Sequence, residues 1–545
     1  MSRLASLHPS LAAYLRQRLA AFQDGFRHNV AIVGPLGNGK STLLQHALAG
    51  APSGVARISC VLQRDSVPGF VKRFAAAVVR ASLDTSEDLP WEPLLQRAAA
   101  VAPNTVAAAR GLERYASGHL QAEAFVHALD LVPVLHQELQ RPCVLVLDEF
   151  LHLEDLGLSH AFHELGKRVM TWPYVMFWVS SSSGCRAREI LRERLQLLFG
   201  QFELLSPGPI ETPAAMTWMQ QQCPGIEQAP EVVNFLLHWL GASPWYLGIL
   251  LKRMSELSRL KPRRAGPNTP KRGGGRRVTE QIMLDAAWDV LGSSDGVLHQ
   301  WCAALVDRIV HHPHGPLARE ALIAIARGAR TSQAVAQQYS TRRHLSEALQ
   351  LLVEQDLVQR KGACWVIPDQ LFACWLSSML GEGLSQGARD PQAARAAFHQ
   401  AVWATWTQWL AVSGQPLVAR VEQLFAQFRN ETVSLDYKTG RLPAFYQMSR
   451  QPARRPDETY LVAEGEERRW CCLIHEGKLD EAEVAAFEQF CRSQLPRPSR
   501  KIVVARNGME LNAKLLAKEA NMWVWEPEDV NLLFLLYGHP PLSRA

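Results

Sequence analysis

The sequence predicts an α/β fold in which buried parallel strands alternate with helices, followed by a helical region and a second α/β region. Three short, continuous apolar runs predict the first sheet: Val30–Val33, Cys143–Leu147 and Tyr174–Ser180. Such runs are typical of strands that are buried on both faces of a parallel sheet. The residues that follow these runs are glycine-rich, acidic and serine-rich, and we interpret them as parts of one site.

The composition is that of an ordinary globular protein with about three or four domains, at roughly 100–200 residues each. Ten scattered cysteines without a C-x-x-C pair argue against a structural zinc site and a disulfide framework, and favour a reducing cytoplasm. The first 22 residues contain dispersed arginines and no apolar core, unlike a signal peptide. The apolar run Val232–Leu251 is interrupted at Gly241–Pro244, which favours two helices over a membrane span.

A glycine-rich loop with the pattern G-x-x-x-x-G-K-[ST] joins the first strand to a helix at Ser41–Leu48. This setting is that of a phosphate-binding loop, whose N–H groups and helix N-terminus attract an anion. Lys40 is expected to contact the β and γ phosphates of ATP, and the Ser41 hydroxyl is expected to bind Mg²⁺. The predicted nucleotide-binding residues are Gly34, Pro35, Leu36, Gly37, Asn38, Gly39, Lys40, Ser41 and Thr42.

The acidic pair Asp148–Glu149 follows the strand Cys143–Leu147 and has the form of a Walker B motif. Asp148 is expected to bind Mg²⁺, and Glu149 is expected to orient and polarise the attacking water. This interpretation requires the phosphate loop and the acidic pair to share one ion. We therefore expect their two strands to be neighbours in the sheet.

The third strand ends in a run of serines, and Ser180 or Ser181 is expected to contact the γ-phosphate or the water. The alternative is that these serines only cap the next helix. Four arginines on that helix could include one that reaches a neighbouring subunit, although a charged helix face is the other explanation: Arg186, Arg188, Arg192 and Arg194. Phe202–Leu205 is a candidate last strand, and a helical lid is expected over residues 211–258.

The segment Arg259–Arg277 holds eight basic and no acidic residues, among prolines and glycines. Like charges and helix breakers predict a disordered linker. It could bind nucleic acid by neutralising phosphates, or it could be a solvated spacer.

Residues 278–380 contain the elements of a winged helix, with a third helix at Thr341–Gln355 and a hairpin around Lys361–Gly362. Arg342 and Arg343 could face the major groove of double-stranded DNA. Winged helices also serve as lids and protein contacts, so this alternative stays open. Residues 395–545 show a hairpin followed by alternating helices and strands, which suggests an α/β sheet.

The strings GPLGNGKST, VLVLDEF and LGASPWYLGILL, with the strand that ends in serines, resemble the archaeal-type ATPases of the AAA+/STAND group. The lid motif departs from that family, since only Gly241 and Pro244–Tyr246 match. Gln201 also stands where family members carry an arginine. The resemblance implies a P-loop NTPase fold with five segments: an ATPase core over 1–210, a helical lid over 211–258, a basic linker over 259–277, a winged helix over 278–380 and a restriction-endonuclease-like domain over 395–545.

The C-terminal resemblance rests on Glu476-Gly477-Lys478 after a strand, which matches the E-x-K pair of such nucleases. Glu422 is a candidate for the helical glutamate. Tyr460 stands where the strand aspartate belongs, unless Asp457 or Glu458 replaces it. A metal needs several placed oxygen ligands, so we expect a degenerate domain retained for binding or assembly. His475 is expected to end the strand before Glu476.

Together these features predict a cytoplasmic ATPase that uses ATP and Mg²⁺ and acts as a nucleic-acid-associated switch. Double-stranded DNA would bind through the winged helix and the basic linker, and a homo-oligomer is a candidate assembly. Two alternatives remain: a signalling or assembly protein that acts through protein partners, and an ATP-gated metal-dependent nuclease.

Overall fold

The structure is a computed structural model that describes most of the chain. The described residues are 7–85, 87–116, 120–193, 202–208, 210, 212–222, 230–241, 243–260, 278–338, 343–379, 391–435, 438–453, 455, 458–466 and 468–542. Packing divides the chain into two compact units, Met1–Gln221 with Ser243–Tyr246, and Gln222–Ala242 with Leu247–Ala545. Most of the predicted basic linker and Arg342 lie outside the described residues.

The first unit alternates strands with helices. Its elements are α1 (Pro9–Gln23), β1 (Asn29–Val33), α2 (Lys40–Ala49), β2 (Ala56–Val61), α3 (Val67–Ser82), α4 (Trp91–Ala98), α5 (Pro103–Ala116), α6 (Gln121–Leu129), α7 (Leu131–Leu139), β3 (Cys143–Asp148), a 3₁₀ helix (Phe150–Leu156), α8 (Ala161–Thr171), β4 (Val175–Ser181), α9 (Gly184–Glu193), β5 (Phe202–Leu205) and α10 (Thr212–Gln222). The three strands predicted from apolar runs are confirmed as β1, β3 and β4.

The five strands form one parallel sheet in the order β2-β3-β4-β1-β5. Every residue of the three central strands is buried, which explains their continuous apolar sequences. One face of these strands packs against α1 and α2, and the other packs against helices that include α3 and α8. The α/β fold with a P-loop-type parallel sheet is therefore confirmed.

This strand order corrects one expectation. The strands β1 and β3 are not neighbours, because β4 lies between them and pairs with both. The loop after β1 and the acidic pair after β3 nevertheless lie at the same edge of the sheet, since all the strands are parallel. The serines at the end of β4 stand between them.

The second unit contains a helical part and a second sheet, and the first three residues of the helix Pro244–Leu260 belong to the first unit. Its elements are α11 (Pro230–Trp239), α12 (Pro244–Leu260), α13 (Val278–Ala287), a π turn (Trp288–Gly292), α14 (Val297–Val310), α15 (Gly315–Ala326), α16 (Ser332–Gln337), α17 (Leu345–Glu354), β6 (Gln359–Lys361), β7 (Cys364–Val366), α18 (Gln370–Met379), α19 (Pro391–Ser413), α20 (Leu417–Ala426), β8 (Glu431–Leu435), β9 (Lys438–Leu442), β10 (Gln447–Pro452), β11 (Glu458–Glu464), β12 (Arg469–His475), α21 (Glu481–Ser493), β13 (Arg500–Ala505), α22 (Leu511–Glu519), β14 (Trp523–Trp525) and α23 (Pro527–Leu536).

The second sheet has the order β10-β11-β12-β13-β14, with antiparallel pairing from β10 to β12 and parallel pairing from β12 to β14. The predicted hairpin followed by alternating helices and strands corresponds to β11 through α23. The hairpin β8–β9 and the edge strand β10 were not predicted. Several of their side chains are exposed or half-buried, so their apolar pattern is weak.

The β6–β7 hairpin packs against β8. The Ala363 N–H donates to the Thr432 carbonyl oxygen at 2.8 Å. A Cβ on Gly362 would lie 2.6 Å from that same oxygen, and Gly362 has a φ of +71°. The tip of this hairpin therefore contacts protein, which the sequence pattern did not indicate.

Among the described residues, none of the helices has both the length and the apolar character needed to cross a membrane. The apolar run that begins at Val232 forms parts of the two helices α11 and α12, as predicted.

Candidate functional site

The phosphate loop connects β1 to α2 through two glycines in the left-handed region. Gly37 has a φ of +77° and Gly39 a φ of +78°, conformations that other residues adopt only under strain. The helix begins at Lys40, directly after the second glycine. The nine predicted nucleotide-binding residues, Gly34 to Thr42, thus form one loop and the first helical turn. Successive N–H groups in such a turn make an anion-binding concavity.

Lys40 lies inside this loop, and only 4% of its surface is exposed. Its Nζ donates to the carbonyl oxygens of Gly34 at 2.8 Å and Pro35 at 3.0 Å. The same Nζ is 3.8 Å from Glu149 Oε1. Burial lowers the pKa of Lys40, while the carboxylates of Glu149 and Asp148 act in the opposite direction. The structure therefore brings together the lysine and the acidic pair, although their strands are not neighbours.

Ser180 connects the two acidic residues. Its hydroxyl donates to a carboxylate oxygen of Asp148 and accepts the Glu149 N–H at 3.1 Å. Asp148 and Ser180 are both buried. Glu149 has a φ of +56°, which a glutamate rarely adopts, and this turns the chain sharply at the end of β3. A strained residue held by its neighbours at a strand end is typical of a functional position.

Two further serines, Ser181 and Ser182, follow Ser180 in the chain. Ser182 was not among the predicted site residues. The Ser182 N–H and hydroxyl both donate to Glu149 Oε2, at 2.8 and 2.9 Å. In contrast, the Ser181 hydroxyl donates to the Ser183 carbonyl oxygen at 3.1 Å and accepts its N–H. Of the two predicted serines, Ser180 thus contacts the acidic pair, and Ser181 stabilises the turn that leads into α9.

The donor set at this edge fits a magnesium nucleotide. Ser41 and Asp148 supply hydroxyl and carboxylate oxygens, the ligands that Mg²⁺ prefers. The left-handed glycines and the buried lysine supply the N–H groups and positive charge for phosphates. Glu149, held by two hydrogen bonds from Ser182, is a carboxylate suited to accept a proton or orient water.

A short segment outside the predicted loop packs on it. The Trp245 N–H donates to the Gly37 carbonyl oxygen at 3.3 Å. A Cβ on Gly37 would lie 2.7 Å from Trp245 Cβ. His8 Nε2 also lies 3.3 Å from the Asn38 carbonyl oxygen. The only sequence signal for these contacts was the Pro244–Tyr246 string, which was noted as part of a lid motif.

Replacing Gly37 with alanine should abolish nucleotide binding. The alanine would have to adopt a left-handed backbone conformation, and its Cβ would collide with Trp245. The matched control is Gly25→Ala, where φ is +93° but nothing lies within 4 Å of the added atom. Both variants should lose roughly 1 kcal/mol or more of stability from backbone strain. Only Gly37→Ala should lose binding of a fluorescent ATP analogue. Equal binding by the two variants would contradict the role of this contact.

Replacing Ser180 with alanine should lower the turnover of ATP about tenfold or more, because the hydrogen bond to a charged group is lost. The Ser181→Ala variant should change turnover by less than about threefold, since its hydroxyl contacts only Ser183. Steady-state phosphate release measures both, with thermal melting to confirm that each variant is folded. Equal losses in the two variants would refute the assignment of Ser180.

Two of the three described arginines of α9 form ion pairs within the chain, and the third, Arg188, is exposed. Arg186 forms ion pairs with Glu154 at 2.5 Å and Glu189 at 2.7 Å. Arg192 pairs with Glu193 at 2.7 Å, and Arg194 lies outside the described residues. These pairs are those of a charged helix face.

The residues of the predicted E-x-K pair and Glu422 each have a different partner. Glu476 Oε1 accepts the Leu417 N–H at 2.9 Å, and its Oε2 pairs with Arg506 at 2.9 Å. Lys478 instead lies 3.8 Å from Glu510. Glu422 forms an ion pair with Arg450. Each member therefore has its own partner in the chain.

Arg343 is exposed just before α17. Arg342, the other residue predicted to contact DNA, lies outside the described residues. The helix α17 buries Leu345, Ala348, Leu349 and Leu352 on one face.

Comparison with known proteins supports the nucleotide site. Residues 11–177 match the family described as the AAA ATPase domain. No curated protein matches the chain significantly. Similar solved structures include the Walker-type ATPase PABY2304 of Pyrococcus abyssi, with 13% identity, a TM-score of 0.44 and coverage of 66% of this chain and 94% of that chain.

Two further similar solved structures are an ORC2 protein and a Cdc6p protein. The ORC2 protein of Aeropyrum pernix, in its ADPNP–ADP complexes, has 14% identity, a TM-score of 0.41 and coverage of 74% of this chain and 95% of that chain. Cdc6p of Pyrobaculum aerophilum has 11% identity, a TM-score of 0.35 and coverage of 73% and 95%. By the family match, the sequence of residues 11–177 is similar to the AAA ATPase domain.

Proposed function

We propose that this chain hydrolyses ATP with Mg²⁺, by in-line attack of water on the γ-phosphate. The observation that supports this most is the position of Lys40, 3.8 Å from Glu149, beside an Asp148 that Ser180 holds. Lysine, a metal-binding aspartate and a catalytic glutamate are the groups that such hydrolysis requires at one place.

Each residue has a distinct role in this proposal. The N–H groups of the loop and Lys40 bind the phosphates, for which Lys40 exchanges its hydrogen bonds to the Gly34 and Pro35 carbonyls. Ser41 and Asp148 hold Mg²⁺, which neutralises charge on the phosphate oxygens. Glu149 orients the attacking water and accepts its proton, and Ser182 keeps that carboxylate in position.

The direct test is phosphate release from ATP by the full chain, with Mg²⁺ and with a chelator. We expect turnover only with Mg²⁺, and ATP binding measured by calorimetry at one site per chain. Binding without any turnover, even at long incubation, would reduce the proposal to a nucleotide-binding switch. Absence of binding would refute it.

We also propose that the chain is a nucleic-acid-associated switch in the cytoplasm that binds double-stranded DNA. The support is the charge of Arg259–Arg277, with eight basic and no acidic residues, together with the exposed Arg343. The hairpin tip at Gly362 packs against Thr432. If residues 278–380 act as a winged helix, the contact must therefore come from its helices and the basic segment.

Binding to a labelled DNA duplex over a series of salt concentrations tests this association. We expect affinity to fall steeply with salt, and the slope to decrease when the basic residues of 259–277 are replaced by glutamine or serine. A protein that shows no binding at low salt, but assembles with ATP in light scattering, would instead be a signalling or assembly protein.

We propose a structural role for Glu476 and Lys478 in place of a nuclease role. The support is that Glu476 already caps the N-terminus of α20 through the Leu417 N–H and pairs with Arg506. Cleavage of DNA by the wild type that is lost in Glu476→Ala would overturn this proposal.

A further inference from the structure

Three buried side chains at one end of β11, β12 and α21 lie close together, separate from the phosphate loop and from Glu476 and Lys478. Glu458 begins β11, His475 ends β12, and Glu483 lies in the first turn of α21. Their potential ligand atoms all lie within 4.8 Å of one another. The residues are 4%, 2% and 4% exposed, respectively. Within the described residues this is the one group of histidine, cysteine or acidic side chains with such spacing.

The fold explains why these residues meet. Glu458 and His475 are directly opposite each other in the antiparallel pair β11–β12, so their side chains are on the same face of the sheet. That face packs against α21, as shown by the common core of Tyr460, Leu473 and Val484. Asp480 caps this helix by accepting the Glu483 N–H at 3.0 Å, and Glu483 Oε2 in turn accepts the Asp480 N–H at 2.7 Å.

Glu458 is the member of the group whose buried carboxylate accepts no hydrogen bond from the described residues, although His475 and Arg455 act to lower its pKa. Neither of its carboxylate oxygens has a hydrogen bond in the described part of the chain. Burial and the nearby Glu483 carboxylate raise the pKa of Glu458. A buried carboxylate without a donor is costly, and a second carboxylate beside it adds repulsion. A bound cation removes both costs.

This group differs from the predicted E-x-K pair. Glu476 lies directly after His475, the last residue of β12, and its carboxylate is on the opposite side of the sheet. Its contacts agree with this, because Leu417 belongs to the core on that other face. The three residues are also far from the phosphate loop in sequence and belong to the second unit.

We propose that Glu458, His475 and Glu483 bind a divalent metal ion, Zn²⁺ or Mn²⁺. One imidazole and two carboxylates form a mixed nitrogen and oxygen ligand set, which suits Zn²⁺ or Mn²⁺ better than the all-oxygen preference of Mg²⁺ or Ca²⁺. Distances of about 2.0–2.2 Å to zinc draw the three ligand atoms together, a movement that side-chain rotation supplies. The absence of C-x-x-C pairs does not bear on such a site, since no cysteine takes part.

Arg455 supplies the positive charge beside these carboxylates in the structure. It forms ion pairs with Glu483 and, at 3.2 Å, with Asp480. Its side chain is half-exposed, so it can withdraw to solvent when a metal binds. Asp480 remains as a partner for the arginine. The metal would then link the beginning of β11 and the end of β12 to the first turn of α21, which is a structural role.

The test uses the full chain, stripped with a chelator and titrated with Zn²⁺ in the absence of nucleotide and Mg²⁺. We expect one zinc per chain by calorimetry and elemental analysis, with a rise in the melting temperature. Glu458→Gln and His475→Gln should each weaken zinc binding at least about tenfold, since one ligand is lost. The matched control Glu476→Gln, on the other face of the sheet, should bind zinc as the wild type does.

A second measurement separates metal binding from a purely structural effect. In the chelator, Glu458→Gln should melt at or above the wild-type temperature, because a buried unpartnered carboxylate is removed. With zinc, only the wild type and Glu476→Gln should gain stability. A wild type that takes up no zinc, or a Glu458→Gln variant that binds zinc as tightly as the wild type, overturns the proposal. If Glu458→Gln fails to fold, His475→Gln decides by the same criteria.

Discussion

The Glu149→Gln variant should lose about 10²–10⁴-fold in the turnover of ATP, the usual contribution of a positioned general base. Glutamine keeps the size of the side chain and an oxygen that can accept the two hydrogen bonds from Ser182. It loses the negative charge that polarises water. Affinity for ATP should stay within about threefold, or increase, because Lys40 is no longer attracted to this carboxylate.

Single-turnover phosphate release and ATP calorimetry together measure this separation of turnover from binding. Glu123→Gln on α6 is the matched control, since Glu123 is an exposed glutamate of the same unit. A Glu149→Gln variant with wild-type turnover would show that another residue activates the water. A variant that no longer binds ATP would show that Glu149 acts in binding.

The second large effect is expected for Lys40→Ala, which should weaken ATP binding about 10–100-fold and abolish measurable turnover. A hydrogen bond from a charged group contributes about 1.5–3 kcal/mol, and Lys40 is the buried cation of the loop. The stability of the protein should change little. The Lys40 ammonium group is desolvated, as its lowered pKa indicates. Removing this group therefore also removes a cost of folding.

Binding of a fluorescent ATP analogue and thermal melting without nucleotide measure the two parts of this prediction. Lys167→Ala on α8 is the control, because Lys167 is an exposed lysine of the same unit. Unchanged ATP affinity in Lys40→Ala would place the phosphates away from this loop. Unfolding of the variant would instead mean that the ion pair with Glu149 is structural.

The chemistry of the nucleotide site was predictable because it depends on local sequence. Glycines before a lysine and a serine determine the loop, since the backbone conformation at Gly37 and Gly39 is available to few other residues. An apolar run that ends in two acidic residues likewise determines both a buried strand and its polar end. The helices and strands from Glu458 to Leu536 were predicted for the same reason.

The partners of these residues were not predictable, because they come from parts of the chain that are far apart in sequence. Placement of β4 between β1 and β3 depends on the packing of the whole sheet. It determines that Ser182 holds Glu149 and that Ser180 holds Asp148. The contact of Trp245 with Gly37 spans about 200 residues of chain and depends on the same tertiary packing.

The sequence by itself determined the glycine-rich loop, its lysine and the acidic pair, and the alternation of the second α/β region. Only the tertiary structure decided which serine contacts the acids, that the Gly362 tip packs on Thr432, and that Glu458 faces His475. The physical reason is that periodicity reports which face of a strand is buried, whereas strand order and register decide which side chains meet across the sheet.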